Sequence, residues 1–190
     1  MGYFSTLQIL LSLQYFAVHS QLGCRDDDNR IVDWHIAYKF PNSFSYAFLS
    51  PNDVEWRLSS ADLRGNGFLK FTFDQVFNST DPGLVYGMYN DEMSPTLNFT
   101  YNPWYGHMKG LFAFTENDPG FWLSHSVPKL SMKPAEFSYP ETSKRYGQHF
   151  LCVSLNYSAL EAIGMFLFNS YVHCLVELLE DNNQSTWLIA

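Results

Sequence analysis

Gly106-His-Met-Lys-Gly110-Leu-Phe-Ala-Phe114 and Phe121-Trp-Leu-Ser-His125-Ser-Val-Pro128 are two short apolar runs, separated by the turn-forming cluster Glu116–Gly120. Aromatic and aliphatic residues in runs of this length, bounded by Gly, Pro, Asn and Asp, read as strands Gly110–Phe114 and Phe121–Ser126. Outward from them, Ile31–Phe40 is β-branched and aromatic and stops at Pro41. Phe68–Phe77 places Phe71, Phe73 and Phe77 on one parity, and Leu84–Tyr89 and Phe150–Leu155 complete the set. Clusters Asn78–Gly83 and Asn90–Pro95 fall between them. The first 155 residues therefore read as sheet.

One helix is predicted after that sheet. Ser158-Ala-Leu-Glu161 fits a capping box, and Leu160, Ile163, Leu167, Tyr171, Leu175 and Leu178 recur at three- to four-residue spacing. No charge occurs between Glu161 and Glu177. Asn169, Ser170 and His173 interrupt the run, so a helix over 158–180 buried against the sheet is expected, not a membrane span. The fold class is α/β, in the sense of α+β with a mixed sheet, and residues 182–190 read as an irregular tail.

The chain has 190 residues, 46% hydrophobic and 16% charged, with 17 Phe, 12 Tyr and 5 Trp. That supply of apolar side chains fills one core and excludes a disordered protein. A net charge of −8 excludes an electrostatic coat of the histone kind. The charge is uneven: residues 24–92 carry 6 basic and 11 acidic groups, whereas 107–149 carry 5 basic and 4 acidic ones. That middle segment also holds His107, His125 and His149, which at ordinary imidazole pKa values would add up to three positive charges near pH 5.

Residues 5–18 form an uncharged apolar stretch, with Val18 and Ser20 small enough to precede a cleavage site, so 1–20 reads as a signal peptide. Four glycosylation acceptors, Asn78, Asn98, Asn156 and Asn183, fit the same secreted or lysosomal location. Three cysteines allow one intrachain bridge. Cys24 with Cys152 is the pairing expected, closing a long loop worth on the order of 4 kcal/mol. Cys174 is left over. No zinc ligand spacing occurs, so no metal is expected.

Gly106-His107-Met108-Lys109-Gly110 is the strongest chemical feature. On a strand, His and Lys two apart share a face and meet one phosphate together, Lys supplying charge and His acting as nucleophile or proton donor. The flanking glycines would let a ligand backbone approach closely. His-x-Lys alone is weak, since it arises by chance in many proteins. His125 by itself reads as a buried, hydrogen-bonded ring. There is no Gly-x-Ser-x-Gly, no phosphate-binding glycine loop and no His-Glu-x-x-His.

Together these segments are specific. Cys24, Val32-Asp33-Trp34 with Tyr38-Lys39 and Pro41, Tyr89-Asn90-Asp91, Gly106-His107-x-Lys109-Gly110, Gly120-Phe-Trp-Leu-x-His125-Ser-Val-Pro128, and Tyr146-Gly147-Gln148 through Leu151-Cys152-Val153-Ser154 resemble, in order and spacing, the N-terminal half of deoxyribonuclease II family proteins. The resemblance runs from about residue 24 to 175. It implies half of a phospholipase D-like α/β/α sandwich, with residues 21–181 as the half domain. It implies an acid endodeoxyribonuclease that uses paired histidines, takes no metal or other cofactor and leaves 3′-phosphate ends. Carried over, His107 and Lys109 form one half-site, His125 matches a further histidine implicated in activity, and Cys24–Cys152 matches a family disulfide. Met108 stands where the family often has Thr, and Phe114 where the wider superfamily often has Asp. Relatives are about twice as long, and no second His-x-Lys occurs here. The readings left open are a homodimer that completes the two-histidine site on DNA, an incomplete product, and a non-catalytic secreted DNA-binding or interaction protein that retains the fold.

Overall fold

The computed structural model describes residues 21–92, 104, 106–116, 118–130, 137–171, 174–180 and 183–189. The segment 1–20 and Asn98 lie outside them. In chain order the elements are β1 (Cys24–Arg25), β2 (Ile31–Val32), β3 (Trp34–Lys39), β4 (Tyr46–Leu49), β5 (Arg57–Leu58), α1 (Phe68–Phe77), β6 (Val85–Asn90), β7 (Lys109–Thr115), β8 (Asp118–His125), a 3-10 turn (Glu141–Arg145), β9 (Gln148–Leu155), α2 (Ala159–Asn169), β10 (Cys174–Glu180) and β11 (Asn183–Ile189). Strands β1 and β2 pair with each other, and the rest form one sheet in the order β11-β10-β6-β7-β8-β9-β3-β4-β5. Every ladder among the described residues is antiparallel. This is an α+β fold, as the sequence led us to expect.

Strand alternation sorts the two helices. Leu111, Ala113, Phe121, Leu123, Phe150 and Cys152 share one core with Phe68, Leu69, Phe73 and Val76 of α1. The opposite parity, Phe112 and Phe114, packs with Tyr89 and with Ile163 and Leu167 of α2. Successive strand residues point to opposite faces, so the helices cover opposite faces of the sheet. All seven residues of β7 are buried, which is why its central stretch Gly110–Phe114 is continuously apolar and does not alternate.

Three expectations are corrected. Phe68–Phe77 is helix, not strand: Phe68, Leu69, Thr72, Phe73 and Val76 are buried, a helical spacing that the parity of the phenylalanines masked. The carboxylate of Asp27, forty-one residues before it, accepts from the Phe68 N–H at 3.2 Å and caps the helix start. The last helix ends at Asn169, and 174–180 and 183–189 form strands β10 and β11 where a longer helix and an irregular tail were expected. Leu175 and Leu178, three apart, share a face only in a helix, and that spacing hid the strand, which forms because β10 pairs with the edge of β6. The capping box does not form: Ser158 makes no side-chain cap and has helical dihedrals.

The Cys24–Cys152 disulfide is present, across a sequence separation of 128. Cys174 lies on β10, not on a helix. Among the described residues no helix is long and apolar enough to cross a membrane. Asn78 and Asn156 are exposed, and Asn183 opens β11.

Candidate active site

The ladder between β6 and β7 pairs Asn90 with Lys109. One step beyond, the Asp91 N–H donates to the Met108 carbonyl at 3.4 Å, which brings the chain after β6 beside the chain before β7. Two cations or potential cations then converge on one carboxylate. Asp91 Oδ2 lies 2.5 Å from His107 Nδ1, and Asp91 Oδ1 accepts from Lys109 Nζ at 2.5 Å. Lys109 Nζ is also 3.7 Å from Glu92 Oε1. Glu92 is held by its backbone: its N–H donates to Asn90 Oδ1 and its carbonyl accepts from the Lys129 N–H, both at 2.9 Å.

Exposure separates the roles. The Lys109 and Asp91 side chains are 3% and 5% exposed, whereas that of His107 is 80% exposed. An unpaired buried ammonium would be costly, and Asp91 meets that need while holding the imidazole by Nδ1. His107 lies before the start of β7, so it and Lys109 are not two side chains of one strand face gripping an open phosphate. They meet at Asp91 instead. The space left by Gly110 is likewise filled from within: a Cβ there would run into Tyr89 Oη and the Leu123 carbonyl, so no ligand backbone enters.

Asp91, Glu92 and His107 bring ligand-type atoms within 4.8 Å of one another, a grouping that can attract a divalent cation. The Lys109 ammonium already supplies positive charge among those carboxylates.

His125 sits directly across the ladder from Lys109. Its Nδ1 accepts from the Val127 N–H at 3.1 Å, its ring lies against Phe150, and the residue is only 5% exposed. Burial first, then the Lys109 charge, pushes its pKa down to about 3. It therefore adds no positive charge to the middle segment at pH 5, contrary to the expectation from ordinary values. The cavity it lines with Asn90, Gly110 and Leu130 measures about 10 Å³, at the lower limit for one water. His107 and Lys109 are thus brought together at Asp91, and His125 is the buried cross-strand neighbour of Lys109.

The deoxyribonuclease II family pattern matches residues 23–187. The chain belongs to the deoxyribonuclease II family. It is 33% identical over 165 residues to plancitoxin-1 of Acanthaster planci, covering 79% of this chain and 45% of that protein. Deoxyribonuclease-2-beta of Mus musculus is 34% identical over 176 residues, covering 83% of this chain and 48% of the relative. For the human deoxyribonuclease-2-beta the figures are 32% over 170 residues, 81% and 46%. The chain therefore spans about half the length of the curated relatives it matches. At this cluster, sequence reasoning gave Asp91 no role beyond membership of the Tyr89-Asn90-Asp91 segment, and passed over Glu92. The available signal was an acidic pair at the end of an apolar run.

Proposed function

We propose that this chain supplies one half-site of a metal-independent acid endodeoxyribonuclease, secreted or lysosomal, in which His107 is the nucleophile. The observation that carries this reading is the exposed His107 ring held at Nδ1 by a buried carboxylate. With Nδ1–H donated to Asp91, the lone pair on Nε2 is directed outward for attack. Nε2 bonds to phosphorus as the bond from phosphorus to the 5′ oxygen breaks, and an acid supplied by a matching imidazole protonates that oxygen. Water then cleaves the phosphoimidazole, freeing His107 and a 3′-phosphate. Lys109 holds Asp91 in place and offsets the two carboxylates, so that a phosphodiester is tolerated beside them. His125, across the ladder from Lys109, serves as a neutral positioning residue.

A matching imidazole comes in this proposal from a second copy of the chain across a two-fold axis. The exposed face of α2, with Met165 and Phe168, followed by Tyr171, suits such a contact. The test is plasmid nicking at pH 5 in EDTA. Wild-type protein is expected to nick with a rate that rises more steeply than linearly with protein concentration, His107→Ala to lose at least about a thousandfold, and Asp91→Asn about a hundredfold or more. Undiminished nicking by His107→Ala rejects this assignment. DNA binding with no product from wild-type protein identifies a non-catalytic binding protein that keeps the fold.

A further inference from the structure

Cys24, His35 and Cys152 meet in the core, at a point that the chemistry at His107 does not use. His35 on β3 lies directly across the ladder from Cys152 on β9, and Cys152 is bonded to Cys24 of β1. All three residues are completely buried. One ring nitrogen of His35 and the two sulfurs lie within 4.8 Å of one another. The three positions are far apart in the chain, so no ligand spacing marks them in the sequence.

The imidazole is the unexplained member of this group. Neither of its nitrogens has a hydrogen-bond partner, although both are buried. Phe48 and Phe68 hold the ring at centroid distances of 5.3 and 4.8 Å, and a phenyl ring would make such contacts without burying two polar atoms. A ring nitrogen set beside two sulfurs is a donor set for a soft cation once the sulfurs are released from each other. A dithiol reductant transfers two electrons and two protons to the Cys24–Cys152 bond, which yields two thiols and leaves the reductant as its own disulfide. The sulfurs then separate toward the roughly 4 Å that two metal–sulfur bonds of about 2.3 Å require at a common ion.

The number of donors decides which cation fits. Ser154 Oγ, beside Cys24, is already used twice, accepting from the Cys24 N–H and donating to the Val32 carbonyl. The Asp27 carboxylate is held by Tyr46, Arg57, Ser59 and the Phe68 N–H. These neighbours therefore offer no fourth ligand. Zn²⁺ in structural sites takes four ligands, whereas Cu⁺ is soft and is satisfied by two sulfurs and a nitrogen. Charge favours the same ion: Cu⁺ displaces one proton, and one thiolate, one thiol and a neutral imidazole leave no net charge in the core.

We propose that the reduced chain binds one Cu⁺ ion through Cys24, Cys152 and His35, restoring the tie between β1 and β9 that reduction removes. The test takes the intact chain, reduced with a dithiol and separated from it under nitrogen at pH 7, and titrates it with Cu⁺ against a chromophoric Cu⁺ chelator. Thiolate-to-copper absorption and near-ultraviolet circular dichroism are followed together. One equivalent is expected to bind, with native circular dichroism and a raised urea midpoint, while the oxidised chain gives no thiolate-to-copper absorption. His35→Phe keeps both cysteines and the ring packing, and is expected to hold Cu⁺ at least about tenfold more weakly. Cys174→Ser, which removes the remaining thiol, is expected to leave stoichiometry and affinity unchanged.

Wild-type affinity in His35→Phe overturns the proposal, as does surrender of all the copper to the chelator. So does binding by a reduced chain whose circular dichroism stays that of an unfolded protein, because two thiols on any chain would then suffice. A reduced chain that retains Zn²⁺ in preference to Cu⁺ overturns the choice of ion.

Discussion

His35 and His107 show how position decides what an imidazole does. His107 sits just before β7 with most of its surface in water and one carboxylate on Nδ1. His35 is completely buried between Phe48 and Phe68, and neither ring nitrogen has a hydrogen-bond partner. Burial pushes the His35 pKa down to about 3, as it does for His125. The unfolded chain binds protons at both positions near pH 6.5, while the fold excludes them until about pH 3. Their contribution is therefore favourable above 6.5 and is lost progressively as pH falls toward 3, by roughly 2 kcal/mol per ring at pH 5. His35→Phe should reduce the stability lost between pH 7 and pH 5 by about that amount, measured by urea denaturation at both values. An equal loss in variant and wild type would contradict the linkage. A chain built this way trades stability at acidic pH for a closely packed aromatic core.

At the scale of elements, α1 shows a helix imposed by its surroundings. Its sequence, Phe-Leu-Lys-Phe-Thr-Phe-Asp-Gln-Val-Phe, is rich in residues that favour strands. Asp27 holds the start of α1 through the Phe68 N–H, and the same carboxylate accepts from Tyr46 Oη at 2.5 Å, from Ser59 Oγ at 2.7 Å and from Arg57 at 3.1 Å. One side chain therefore joins the β1–β2 loop, β4, β5 and α1. Asp27→Ala strands several donors that are partly or wholly buried and should cost about 2–4 kcal/mol, read as a lower urea midpoint at constant slope. A loss below about 0.5 kcal/mol would mean that α1 is held by packing alone. The end of α2 has a comparable place at the site: Tyr171 takes positive φ of 50°, and its carbonyl accepts from the Gly106 N–H at 3.2 Å, fixing the residue before His107.

For the whole molecule, the Cys24–Cys152 bond joins the short β1–β2 pair to a central strand, across 128 residues. Closing a loop of that length restricts the unfolded chain by roughly 4–5 kcal/mol. Cys24→Ser/Cys152→Ser should lose stability on that scale in chemical denaturation, and an oxidised wild type no more stable than this variant would show that native strain cancels the entropy. The charge distribution also acts at this scale. The net charge is −8 and is unevenly spread: Lys144 and Arg145 are exposed side by side, whereas Lys109 is buried and paired with Asp91.

The sequence by itself determined the strands on either side of Glu116–Gly120, the family, and the His107–Lys109 pair, because each is written in contiguous residues or fixed spacing, whereas the division of the apolar residues between two sheet faces came from the tertiary structure. It misread Phe68–Phe77, where residue spacing fits two periods and a distant cap decides, and the region after Asn169, where a helical spacing of leucines is overridden by pairing with a strand edge. Only the tertiary structure placed Asp91 between an imidazole and an ammonium, sixteen and eighteen residues further along the chain. Such a meeting depends on strand register, and register is set by the burial of a whole sheet face, which no local motif encodes.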